Sequence, residues 1–154
     1  MPIEISRDVF RLAQVFTISR GSRTEAQVLT TCISEGNVSG RGECVPYARY
    51  GETLDSVTAE IEGLPDAFTR AELYDLLPAG AARNAVDCAL WDLEAKQTGK
   101  RVWELAGLAA PGPEITAYTL SLDTPENMQV QAAVHAHRPL LKIKLGTPDD
   151  MPRL

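Results

Sequence analysis

Cysteine, histidine and aromatic residues are scarce in this chain of 154 residues, which has three Cys, two His and only 6% Phe, Trp and Tyr. Cys32, Cys44 and Cys88 are odd in number, far apart and without a CxxC pair, so neither a disulfide framework nor a Cys/His zinc site is expected. A reducing, cytoplasmic setting suits such thiols. No run approaches the roughly eighteen apolar residues of a membrane span, and Met1-Pro2-Ile3-Glu4 lacks the basic stretch and apolar core of a secretory signal. Positive charge is also short: 15 Lys and Arg against 21 Asp and Glu leave a formal charge of −6 and a pI near 4.9. That balance offers no general attraction to phosphate backbones or anionic lipid. Nucleic-acid and membrane partners are therefore not expected.

What is present is an ordinary globular composition, 44% apolar and 23% charged, long enough to bury a core without metal or disulfide staples. Ile3, Ile5, Val9 and Leu12 mark a first strand, Ala26–Ile33 a second, and Val38–Pro46 a third after the turn Glu35-Gly36-Asn37, which together read as an antiparallel meander. Phe16–Thr24 lies between the first two strands and carries Arg20 and Arg23 around Gly21-Ser22. It reads as a loop too long for a tight hairpin. From Thr53 the apolar period becomes helical through Leu54, Val57, Ile61 and Leu64, with Thr53 as N-cap. Arg70–Leu77 reads as a short helix, and Ala81–Thr98 as a long one whose stripe of Ala82, Ala85, Val86, Ala89, Leu90 and Leu93 ends at the cap Gly99. Val102–Leu105 adds a last helical turn.

Two Pro and one Gly in Ala109-Ala110-Pro111-Gly112-Pro113 mark a linker, and hence two domains, 1–110 and 111–154. The second reads as strand (Ile115–Leu122), helix (Met128–His135, opened by Thr124-Pro125-Glu126) and strand (Pro139–Leu145), a βαβ unit with parallel strands. Two parallel strands and one helix leave sheet faces uncovered.

Lys142-Ile143-Lys144 lies within that last strand, so alternation turns both ammonium groups to one side. On a closed interior, desolvation and mutual repulsion favour the neutral amine and suit one Lys to act as a base; on an edge strand the same pair is a solvated guard against aggregation. Arg20 and Arg23 suit an anionic group or are plain surface charge. Gly40-Arg41-Gly42-Glu43 reads as turn or bulge geometry with local charge pairing. Tyr47–Glu52 has the composition of a binding loop or of an ordinary helix entry. His135 and His137, two apart on a helix, face different ways and read as solvated rather than chelating. Asp149 and Asp150 read as surface charge.

Taken together, the meander, the Ser19-Arg20-Gly21-Ser22-Arg23 segment, Gly40–Glu52, the helix around Ala82–Leu93 and Leu141-Lys142-Ile143-Lys144 resemble the enolase superfamily, and within it the dipeptide epimerases of the L-Ala-D/L-Glu epimerase group. The resemblance implies an α+β capping domain, a three-stranded antiparallel meander plus helices, followed by the first βαβ part of a modified (β/α) TIM barrel, truncated. It implies a dipeptide substrate and Mg²⁺, with epimerisation through a metal-stabilised enediolate. On that reading Lys144 removes and returns the α-proton, Lys142 supports it, and Thr119, Arg23 and Phe16 touch the substrate. The metal ligands and the opposing Lys are expected beyond Leu154, so these residues alone are expected to be inactive, and a homo-oligomer is open. A muconate-cycloisomerase-like or o-succinylbenzoate-synthase-like enzyme on the same scaffold, or a non-catalytic binding module, are the alternatives.

Overall fold

The computed structural model describes residues 1–154. A first sheet has the order β1 (Ile3–Ile18), β2 (Gly21–Glu35), β3 (Val38–Cys44), followed by helices α1 (Leu54–Glu62), α2 (Leu73–Leu76), α3 (Ala81–Thr98) and α4 (Val102–Leu105). Then come β4 (Tyr118–Leu120), α5 (Pro125–Val134) and β5 (Leu141–Ile143). The expected class, an antiparallel three-stranded sheet with helices and then a β–α–β unit, is the one observed. The chain forms two compact units, one of Met1–Val9 with Gln27–Pro111 and the other of Phe10–Ala26 with Gly112–Leu154.

In the first unit α3 forms the floor. Its stripe of Ala81, Ala82, Ala85, Val86, Ala89, Leu90 and Leu93 is buried against Leu29, Ile33, Val57, Ile61 and Leu73. Each large aliphatic side chain taken fully out of water there contributes about 1.5–3 kcal/mol. The helix starts and stops as the residues dictate. Gly99 takes the left-handed conformation at φ 69° that ends it, and Thr53 caps α1 reciprocally with Ser56 (3.0 Å each way).

Three expectations are corrected here. Gly40-Arg41-Gly42-Glu43 is neither turn nor bulge: it pairs in register inside β3, Gly40 with Ile33 and Gly42 with Thr31, at ordinary φ. The glycines are needed because α3 lies on them. A Cβ on Gly42 would overlap the Ala85 carbonyl oxygen and stand 2.7 Å from the Ala89 nitrogen, and one on Gly40 would stand 2.7 Å from Leu93 Cβ. The charged neighbour Arg41 contributes its backbone, whose N–H donates to Asp92 Oδ2 (2.8 Å), while Lys96 Nζ donates to Asp92 (2.7 Å) and to the Ser39 carbonyl (2.9 Å). Burial works against the Asp92 charge, but these donors outweigh it and hold the carboxyl below its usual range.

Phe16–Thr24 is not a loop. β1 runs on to Ile18 and β2 begins at Gly21, leaving the two-residue turn Ser19-Arg20, and Gly21 at φ 136° supplies the backbone that turn requires. Finally, α5 stops at Val134, so the two His do not share a helix. His135 is the C-cap residue, half-buried, with its ring 4.0 Å from that of Tyr118 and 6.2 Å from that of His137. It packs rather than being solvated.

Candidate active site

The second unit carries the candidate residues. Thr124 opens α5, its Oγ1 accepting from the Asn127 N–H at 3.3 Å, with Pro125 at the first helical position. The crossover returns β5 parallel to β4, in the register Tyr118↔Leu141, Thr119↔Lys142, Leu120↔Ile143. The Tyr118 N–H donates to the Leu140 carbonyl (3.0 Å) and the Lys144 N–H to that of Leu120 (3.1 Å). Leu120 and Met128 are buried, so that side faces α5. Thr119 and Lys142 occupy the other side, and alternation sends Lys144 the same way. Lys142 is exposed; Thr119 and Lys144 are half-buried.

Phe16 on β1 is half-buried and Arg23 on β2 is exposed, and both belong to the hairpin segment of this same unit. The segment meets the residues that follow β4 and β5. The Thr17 N–H donates to Ser121 Oγ (2.9 Å), the Ser121 hydroxyl to the Val15 carbonyl (3.3 Å), and the Leu122 N–H to the Thr17 carbonyl (3.0 Å). Gly146 rests against Ser19. In α/β architectures binding and catalysis concentrate beyond the C-terminal ends of parallel strands, which is the end these contacts occupy.

Asp149 is exposed, as the surface-charge reading expects, but Asp150 is half-buried and fully engaged. Asp150 accepts from Thr147 Oγ1 (2.6 Å), the Thr147 N–H (3.1 Å) and the Gly146 N–H (2.8 Å), donors that hold its carboxyl below the usual range. Arg153 closes the segment by donating to the Asp123 carbonyl (2.9 Å) and to Thr147 Oγ1 (2.9 Å). No group of three or more His, Cys, Asp or Glu is placed to hold a metal ion. The carboxylates of this chain therefore do not form a divalent-cation site among themselves.

Sequence reasoning passed over Ser121 and Gly146, which join the hairpin to the strand ends, although the placement of Ser121 two residues after Thr119 was a signal. It took Glu52 only as part of the Tyr47–Glu52 segment, not as a partner of α3. In the first unit its carboxylate accepts from the Tyr47 N–H (2.9 Å) and, at the N-terminus of α3, from the Ala81 N–H (2.7 Å). Gly80, the N-cap there, supplies no side-chain cap. Tyr47–Glu52 thus encloses a short 3₁₀ turn, Ala48–Tyr50, tied to α3 by Glu52.

The sequence and fold are similar to those of known proteins. Residues 3–107 match the family model of the mandelate racemase/muconate lactonizing enzyme N-terminal domain. The L-Ala-D/L-Glu epimerase of Escherichia coli is 43% identical over 149 residues, covering 93% of this chain and 46% of the relative. A crystal structure of an enolase family member from Agrobacterium tumefaciens with homology to dipeptide epimerases, holding sodium and L-Ala-L-Glu with an ordered loop, superposes with a TM-score of 0.93 at 52% identity, over 98% of this chain and 48% of that one. The dipeptide epimerase of Enterococcus faecalis, complexed with Mg and L-Leu-L-Tyr, gives a TM-score of 0.86 at 26% identity, over 98% and 47%. The chain spans about half the length of the relatives it matches. It belongs to the mandelate racemase/muconate lactonizing enzyme family, as the N-terminal portion of a member similar to the dipeptide epimerases.

Proposed function

We propose that this chain is the N-terminal portion of an isomerase that epimerises dipeptides such as L-Ala-D/L-Glu at the α-carbon of the second residue. The observation that carries the proposal is the parallel pairing that sets Thr119 opposite Lys142 with Lys144 one pleat beyond, on the strand ends that the Phe16 and Arg23 hairpin meets. Its similarity to epimerases on both sequence and structure supports the reaction class.

In this reading the Lys144 amine takes the α-proton and gives it back. An amine serves as a base only when unprotonated. Lys142 is its neighbour on the same side of the strand. The Thr119 hydroxyl hydrogen-bonds the substrate beside them, Phe16 covers its apolar part, and the Arg23 guanidinium takes its side-chain carboxylate in the two-pronged geometry suited to that group. The family also uses Mg²⁺, as the Enterococcus complex illustrates, but the residues of this chain do not make a site for it. The metal ligands and the base for the opposite face are assigned to the further half that the relatives have. The 154 residues alone are accordingly expected to be inactive.

The test is chiral chromatography of L-Ala-L-Glu incubated with Mg²⁺ and either the 154-residue chain or a protein extended to its relatives' length. The extended protein is expected to form L-Ala-D-Glu and the short chain none. An extended protein that leaves every L-Ala-L-Xaa dipeptide unchanged contradicts the reading.

A further inference from the structure

β1 is an edge strand, since the sheet order is β1-β2-β3. The outward N–H and C=O groups of such a strand need partners or water. At Thr17 both are used by one short segment: the N–H donates to Ser121 Oγ (2.9 Å), and the C=O accepts from the Leu122 N–H (3.0 Å). The same Ser121 hydroxyl donates to the Val15 carbonyl (3.3 Å), so a single side chain engages two consecutive outward positions of the strand. A steric contact adds to these bonds. Gly146 has φ +147°, and a Cβ there would overlap that of Ser19 and lie 3.2 Å from its Oγ. The tip of the hairpin therefore rests on bare backbone two residues after Lys144.

Both attachment points follow the strands that bear the candidate chemistry, and both lie 104 or more residues from the hairpin in sequence. An ordinary packing contact would need only apolar bulk. Here the hydroxyl acts at once as donor and acceptor, and glycine occupies a backbone conformation that side chains rarely adopt. We infer that Ser121 and Gly146 are positioning residues: they latch the β1–β2 hairpin to the ends of β4 and β5 and so set where Phe16 and Arg23 stand. The role of this latch in substrate binding rests on the function proposed above, whereas its existence does not.

The experiment has two arms. In the 154-residue chain, tryptic cleavage after Arg20 and Arg23 reports opening of the hairpin, with cleavage after Arg49 as internal reference. Ser121→Ala, which loses two hydrogen bonds, and Gly146→Ala, whose Cβ would overlap that of Ser19, are each expected to speed the first two cuts about tenfold or more when opening precedes cleavage. Ser121→Thr, which keeps the hydroxyl, is expected to restore slow cutting. Equal rates in wild type and both variants, with unchanged hydrogen exchange at the Thr17 and Leu122 amides, overturn the latch. In the extended, active protein Ser121→Ala is expected to raise KM for L-Ala-L-Glu about tenfold with kcat changed less, the signature of lost uniform binding. An unchanged KM with accelerated cleavage overturns the positioning role. An extended protein inactive on dipeptides removes the proposed function, and the tryptic arm then decides the latch alone.

Discussion

Replacing Gly42 by alanine adds one methyl group where α3 lies on β3. That methyl would overlap the Ala85 carbonyl oxygen and sit 2.7 Å from the Ala89 nitrogen, both of them helix backbone, which no rotamer change can clear. To restore ordinary contact α3 must lift by about an ångström, and its stripe of seven buried residues moves with it. Overpacking of a close-packed core typically costs about 1–3 kcal/mol. With backbone on both sides of the clash, the upper figure applies. At about 2–4 °C per kcal/mol for a chain of this size, a loss of ~3 kcal/mol lowers Tm by about 6–12 °C. The assay is thermal and urea unfolding of the 154-residue chain followed by far-UV circular dichroism and by the fluorescence of Trp91 and Trp103. Gly112→Ala serves as control, because a Cβ there meets nothing within 4 Å; it is expected to be neutral or to stabilise by about 0.4–1 kcal/mol. A Gly42→Ala protein within about 0.5 kcal/mol of wild type, the usual range of innocuous surface changes, would refute the direct seating of α3 on β3.

Two further predictions concern the first unit. Glu52→Ala leaves the Ala81 N–H at the start of α3 and the Tyr47 N–H without their acceptor and is expected to cost about 2 kcal/mol in urea unfolding, with Glu52→Gln, which keeps one carbonyl oxygen, costing about half as much; equal stability of all three proteins would show that Glu52 does not cap α3. Burial, with the Glu52 charge nearby, pushes the Cys44 thiol from 9.0 up to about 11. Unfolded thiols thus lose their proton first, and the contribution of Cys44, complete below pH 9, is lost as the pH rises toward 11. Subtracting the stability profile of Cys44→Ala from that of wild type is expected to leave a difference that shrinks across that window, and a flat difference would contradict the assignment.

Elements whose signals are local were legible in the sequence. The stripe and Gly99 define α3, Thr53 defines the start of α1, and Thr124-Pro125 opens α5 between two strands that pair in parallel as expected. What escaped depends on distant partners. Gly40 and Gly42 have ordinary backbone angles, and only the position of α3, some forty residues on, explains them. Phe16–Thr24 has polar residues enough to read as a loop, yet its pairing continues to a two-residue turn because Gly21 accepts a positive φ and Ser121 engages the outer edge. Of the site, the Lys pair could be placed on one side of a strand from alternation, whereas Thr119 came only from the family resemblance and the register that sets it opposite Lys142 is a feature of the structure. The seating of the hairpin beside them could not, since Ser121 and Gly146 meet residues more than a hundred positions away.

Proton exchange at the substrate α-carbon tests the central claim most directly. In D₂O with Mg²⁺, the protein extended to its relatives' length should wash out the Glu α-hydrogen signal of L-Ala-L-Glu in the proton NMR spectrum, and Lys144→Ala should abolish that exchange for one of the two epimers at least. Deuterium entering both epimers at the wild-type rate in the Lys144→Ala protein would contradict the assignment of Lys144 as the base.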